Sequence, residues 1–147
     1  MNTKTFNPTL RRRSRRLALQ ALYQWQVTQN SAGAILAQFA QDPEITKTDR
    51  VYFEEVLANV VSMQAKIDEQ LTPFLSRPLA ELDPIELTIL RIGMYELLER
   101  PEIPCRVIMN EAIELAKTFG GTDGHKFVNG ALDKAARVLR PVEMKSA

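Results

Sequence analysis

Apolar residues return along this chain at spacings of three and four, with polar residues on the intervening positions, which is the pattern of amphipathic helices. Ala18, Ala21, Leu22 and Trp25 form one such stripe in a helix that reads from Pro8 onward. Ile35, Leu36 and Phe39 mark a second helix, capped by Asn30 or Ser31 and stopped at Asp42-Pro43, because the residue before a proline avoids the helical region. Thr46 and Asp49, spaced as a capping pair with Asp in place of Glu or Gln, predict a long third helix. Its core face is Phe53, Val56, Leu57, Val60, Ile67 and Leu71, and Thr72-Pro73 ends it.

Phe74 to Asp83 contains Pro78 and reads as a connector with at most a short helical turn. It predicts a boundary between a three-helix bundle over residues 1–75 and a second helical bundle over residues 76–147. Asp83-Pro84-Ile85-Glu86 then combines an N-cap acid, a proline at the first helical position and a glutamate near the positive helix end. Ile85, Leu87, Ile89, Leu90, Ile92, Met94, Leu97 and Leu98 occupy almost every side of the helix that follows, which places it in the middle of a bundle. Arg100-Pro101 ends it. Pro104 opens another helix with Ile108, Ala112, Ala116 and Phe119 on its buried stripe and Gly120 as a left-handed carboxy-terminal cap. The last helix begins near Thr122 or Asp123, carries Phe127, Ala131, Leu132, Ala135, Val138 and Leu139, and stops before Pro141. Gly130 inside it costs about 1 kcal/mol relative to alanine and so predicts close packing against a neighbour. No stretch alternates with period two, so the expected fold is all-α: two packed helical bundles with about seven helices.

Composition narrows the function classes. With 147 residues, 45% hydrophobic and 25% charged, the chain suits one domain or two small lobes and excludes wholesale disorder. No apolar run approaches the roughly 18 residues of a membrane span, and the amino-terminal arginines precede no signal-peptide core, so the expected location is the cytoplasm, with no membrane partner. One cysteine, Cys105, and one histidine, His125, exclude an internal disulfide and a Cys/His zinc cluster. Neither a metal nor a cofactor is predicted.

The net charge of +1 hides an asymmetry: residues 1–16 hold Lys4, Arg11, Arg12, Arg13, Arg15 and Arg16 and no acid, a local +6 that leaves −5 on the remainder. Five arginines within six positions suit a phosphate backbone, since each guanidinium is a planar fork of donors and displaces condensed counterions. A solvated tail is the bland alternative. At 100° per residue Arg11 and Arg15 share the side of Leu22, while the other three spread around the helix. Either the first two turns therefore project beyond the core or they stay flexible until a ligand orders them. A membrane-surface helix would need more apolar positions than Phe6 and Leu10.

Catalytic patterns are weak. Cys105 and His125 lack a third orienting group. Gly120-Gly121-Thr122-Asp123-Gly124 follows a helix instead of a strand and lacks the lysine followed by serine or threonine that closes a phosphate loop. Glu111 and Glu114, with Lys117 beyond, read as a solvated helix face. His125, Lys126 and Phe127 combine an imidazole, a cation and an aromatic at a helix start, which suits single-stranded RNA, although an aromatic at helical spacing is more often core packing.

Three ordered blocks, Leu90-Arg91-Ile92-Gly93-Met94-Tyr95-Glu96-Leu97, Ile108 to Lys117 (IMNEAIELAK) and Lys126 to Asp133 (KFVNGALD), together with Ala21-Leu22-Tyr23-Gln24-Trp25 behind the clustered arginines, resemble the NusB family over nearly the whole chain. The resemblance implies a non-catalytic, two-lobed helical factor of transcription antitermination and ribosomal RNA synthesis. Its implied partners are NusE, a small-subunit ribosomal protein, boxA-type single-stranded RNA and the transcription elongation complex. It assigns Arg11, Arg12, Arg13, Arg15, Arg16, Asp123, Lys126 and Phe127 to RNA, and Tyr23, Glu86 and Arg91 to the protein partner. The alternatives are a helical protein-interaction adaptor without specific RNA, from a different class, and a stand-alone relative of the RNA-binding domain of an RNA cytosine methyltransferase. The same fold occurs as a domain of RNA cytosine methyltransferases, but with no glycine-rich strand-to-helix turn and an end at Ala147 the chain is expected to be the free-standing factor. Monomer and homodimer both remain open.

Overall fold

The structure, a computed structural model, describes residues 7–146. Among these residues there is no strand, and the chain divides into two compact units, Met1–Ser62 and Met63–Ala147.

In the first unit α1 (Pro8–Thr28) starts where Asn7 Oδ1 accepts from the Leu10 amide at 3.1 Å, ahead of a proline that needs no partner for its nitrogen. The helix ends at Gln29, in left-handed conformation. Ser31 caps α2 (Ala32–Phe39). A 3₁₀ turn over Pro43–Lys47 follows, and α3 (Arg50–Ser62) begins behind Asp49, whose Oδ1 accepts from the Tyr52 amide. Asp49 is thus itself the cap, whereas Thr46, expected as its partner in a capping pair, lies in the 3₁₀ turn and donates to the Pro43 carbonyl. Ala18, Ala21 and Leu22 of α1 are buried with Ile35 and Phe39 of α2 and Phe53, Val56, Leu57 and Val60 of α3. Trp25, at the end of the expected α1 stripe, is only half-buried.

The long third helix expected to run to Thr72 is broken at Met63, and α4 (Gln64–Leu71) belongs to the second unit. The boundary expected at 75/76 therefore lies one helix later than the observed division. The reason is a tertiary contact: Asp68 on α4 receives a two-pronged guanidinium fork from Arg91 on α5 (Pro84–Glu99), Nε and Nη2 each at 2.9 Å. Ile67 and Leu71 of α4 are fully buried, and 3₁₀ turns over Thr72–Phe74 and Leu79–Glu81 lead into α5.

Helix α5 packs against α4, α6 (Cys105–Phe119) and α7 (Gly124–Leu139), and its residues from Glu86 through Leu97 are all buried. Its amino end is satisfied by Asp83 Oδ2, which accepts from the amides of Ile85 and Glu86. Its carboxy end is satisfied by Arg140, which donates to the carbonyls of Glu96, Leu97 and Arg100, and beyond the helix to that of Ile103. The Glu96 and Arg100 carbonyls also accept from the amides of Arg100 and Ile103, while Leu97 stands four residues before Pro101, which has no N–H to give it. Pro141 does stop α7, but it also opens α8 (Pro141–Ser146), the eighth α-helix among the described residues, in keeping with the expected number of about seven. Its Glu143 reaches back to accept from the Cys105 amide and pairs with Arg140 at 3.3 Å.

Two glycine expectations change. Gly120 is extended (φ −86°), so its role is steric: a Cβ there would stand 2.7 Å from the Ala116 carbonyl oxygen. Gly130 meets nothing within 4 Å and is not a close-packing site, while Gly93 on α5 is, with Leu132 of α7 2.9 Å from where its Cβ would be. The α5–α7 contact needed a small residue on α5, and helical spacing alone does not reveal which side of a contact provides it.

Gly130 has ordinary helical φ and open surroundings, so Gly130→Ala is expected to raise stability by about 0.5–1 kcal/mol, read from the urea midpoint. The hydrogen bond from the Cys105 amide holds the Glu143 carboxyl below its ordinary range, with Arg140 pulling the same way. A depressed carboxyl contributes stability that is present above its unfolded pKa and is lost as pH falls through the folded value. Glu143→Gln should therefore be less stable than the parent at pH 7, with the difference shrinking on acidification below the carboxylate range; equal midpoints at both pH values would contradict this coupling.

Candidate nucleic-acid interface

The first unit sorts the clustered arginines by their position around α1. Arg11 and Arg15, on the side of Leu22, turn inward over Tyr52 of α3, with guanidinium carbons 4.0 and 5.5 Å from the ring centre. Arg11 Nε also lies 3.6 Å from Asp49 Oδ2, and Arg15 is only 3% exposed. Burying a guanidinium is tolerable here because a buried aromatic face and a carboxylate replace part of its hydration. Arg12, Arg13 and Arg16 are exposed. Lys4 lies outside the described residues.

The expectation that these turns project beyond the core or await a ligand is corrected. The Ser14 hydroxyl donates to the Asp49 carbonyl at 2.7 Å and accepts from the Asp49 amide at 2.9 Å, fastening the second turn of α1 to the start of α3. The three outward guanidiniums consequently sit on an ordered helix, which lowers the ordering cost of holding an anion.

In the second unit the other expected RNA residues surround the start of α7. Asp123 adopts left-handed backbone (φ 62°), and its carbonyl accepts from the Lys126 amide at 3.0 Å. Lys126 Nζ is 3.4 Å from Asp123 Oδ1, both side chains being exposed. Phe127 is half-buried, sharing the surface and core readings, and the guanidinium of Arg77 lies 4.4 Å above its ring. Sequence reasoning missed Arg77: it is an isolated cation in the connector, and no spacing relates it to a residue fifty positions on. The 3₁₀ turn over Thr72–Phe74 packs on α7 and brings the connector there.

The residues expected to meet a protein partner divide differently. Tyr23 is exposed on α1 of the first unit. Glu86 and Arg91 are 7% and 6% exposed. Five positions apart on α5, they point about 140° from one another. Arg91 is engaged with Asp68, and Glu86 lies against Gly124, where its carboxylate leaves no room for a Cβ. Burial pushes the Glu86 carboxyl up, Asp83 adds to the rise, and Arg77 opposes it. Any partner reaches only a small remainder of either side chain.

Catalytic alternatives gain no support. Cys105 is buried, and burial together with Glu143 pushes its thiol up, the reverse of an activated nucleophile. Glu111, expected on a solvated face, is buried, while Glu114 is exposed as expected, 4.0 Å from Lys117. Among the described residues no group of His, Cys, Asp and Glu has metal-holding geometry, and no helix is long and apolar enough to cross a membrane.

Comparison with known proteins gives one answer by sequence and by structure. The model of the NusB family matches residues 12–137. The chain is 55% identical over 135 residues to the transcription antitermination protein NusB of Nitrosomonas europaea, covering 92% of this chain and 81% of that one. It is 52% identical over 134 residues to that of Idiomarina loihiensis, covering 91% and 96%. The solved structure of T. maritima NusB superposes with a TM-score of 0.73 at 29% identity, covering 92% of this chain and 97% of that one. With matching helices, matching blocks and a family match over most of its length, the chain belongs to the NusB family.

Proposed function

We propose that this chain, a transcription antitermination protein of the NusB type, works without catalysis in the cytoplasm. Together with NusE it captures boxA-type single-stranded RNA and tethers it to the transcription elongation complex. The observation that carries the reading is the ordered amino-terminal half of α1, where Arg12, Arg13 and Arg16 are exposed while Arg11 and Arg15 are packed on Tyr52. Exposed guanidiniums suit phosphates, and the packed pair adds to the positive field while holding the helix in place. Asp123, Lys126 and Phe127 are the RNA residues proposed in the second unit. Tyr23 is the most accessible of the proposed NusE contacts, and Glu86 and Arg91 would act there through their small exposed portions and by shaping α5.

Each arginine on a phosphate contributes about −0.7 to the slope of log affinity against log salt for a single strand. Arg12→Glu is expected to weaken boxA-type RNA binding and flatten that slope by at least this amount. The pair with NusE is expected to bind the RNA more tightly than the chain alone, since two linked surfaces restrict one strand. Titrations at several salt concentrations, with and without NusE and against scrambled RNA, test both. Unchanged affinity and slope in Arg12→Glu, together with no gain from NusE, would reject the reading and favour an adaptor. Asp123 places an exposed negative charge beside Lys126. Asp123→Asn keeps a side chain that tolerates left-handed backbone and should tighten RNA binding modestly; a titration with no gain takes the residue out of the site.

A further inference from the structure

Residues around the start of α7 form a layered arrangement that the RNA reading has not used. Arg77 follows Ser76 and precedes Pro78, whose ring restricts it to extended backbone. The connector is pinned at both ends by 3₁₀ turns, Thr72–Phe74 and Leu79–Glu81, the first of which packs on α7. The exposed Arg77 side chain is thereby laid on the ring of Phe127, its guanidinium carbon 4.4 Å from the centroid. One face of the aromatic ring is therefore already covered by a planar cation.

Building on the function proposed above, we propose that Arg77 is itself a nucleobase platform: a base of the bound RNA stacks on the outer face of its guanidinium, with Phe127 as the layer beneath. A guanidinium held flat on an aromatic ring has lost little freedom that binding would still cost, and its edge keeps N–H donors for a neighbouring phosphate. The surroundings favour a nucleotide over an acidic peptide. Lys126 supplies a cation for the backbone, whereas the exposed Asp123 repels carboxylates but accepts from the exocyclic amines of bases. Phe127 then contributes by orienting Arg77 rather than by touching the base.

The test uses the full chain with NusE and a boxA-type single-stranded RNA carrying 2-aminopurine at successive positions, whose fluorescence falls on stacking. The parent should quench at one position. Arg77→Ala should weaken binding about tenfold, abolish that quench and reduce the salt slope by about 0.7. Arg77→Lys should keep the slope and lose the quench, and Phe127→Leu should diminish the quench with the slope intact. Three results would overturn the platform. In the first, Arg77→Ala tightens binding or deepens the quench, making Arg77 a cover that RNA must displace. In the second, Arg77→Ala and Arg77→Lys match a parent that binds. In the third, Arg77→Ala loses NusE capture alone, making the site a protein contact. A parent that fails to bind RNA at all overturns the functional reading as well as this one.

Discussion

The second unit depends on satisfying the polar ends and charges of a helix with almost no access to water. Helix α5 is buried from Glu86 through Leu97, so each carbonyl at its carboxy end and each charged group along it needs a protein partner. Arg140 donates to three carbonyls of the last turn and its cap, and Asp68 answers the buried Arg91 with a two-pronged fork. Both solutions join elements distant in sequence. The carboxy-terminal segment after α7 and the helix before the connector are thereby made parts of one unit.

The first unit applies the same logic to a denser charge. Five arginines in two helical turns would repel one another and resist burial, yet the start of α3 offers a buried tyrosine ring and a carboxylate. Two guanidiniums are absorbed there and three face outward. The amino end of α1 is packed on one side and exposed on the other. A substitution at Arg11 or Arg15 would confound folding with binding, whereas one at Arg13 would act mainly through charge.

At the start of α7 the arrangement mixes signs. A left-handed aspartate, a lysine paired with it, a half-buried phenylalanine beneath an arginine and a buried glutamate whose carboxyl burial pushes up lie within one short stretch. Such a patch has less pull on anions at long range than α1 does, but more ways to discriminate among groups that come close.

The helical class, the starts of α1 and α5, the buried nature of α5 and the basic cluster were legible from spacing, capping residues and charge, because these signals act within a few turns of one helix. Asn7 and Asp83 cap as local chemistry requires, and the family blocks identify the architecture without any coordinates. The break at Met63, the placement of α4 with α5, the small residue at Gly93 in place of Gly130 and the laying of Arg77 on Phe127 were decided only in three dimensions. Each turns on a partner tens of residues away, and a one-dimensional pattern records which side of a helix is apolar but not which neighbour that side will meet.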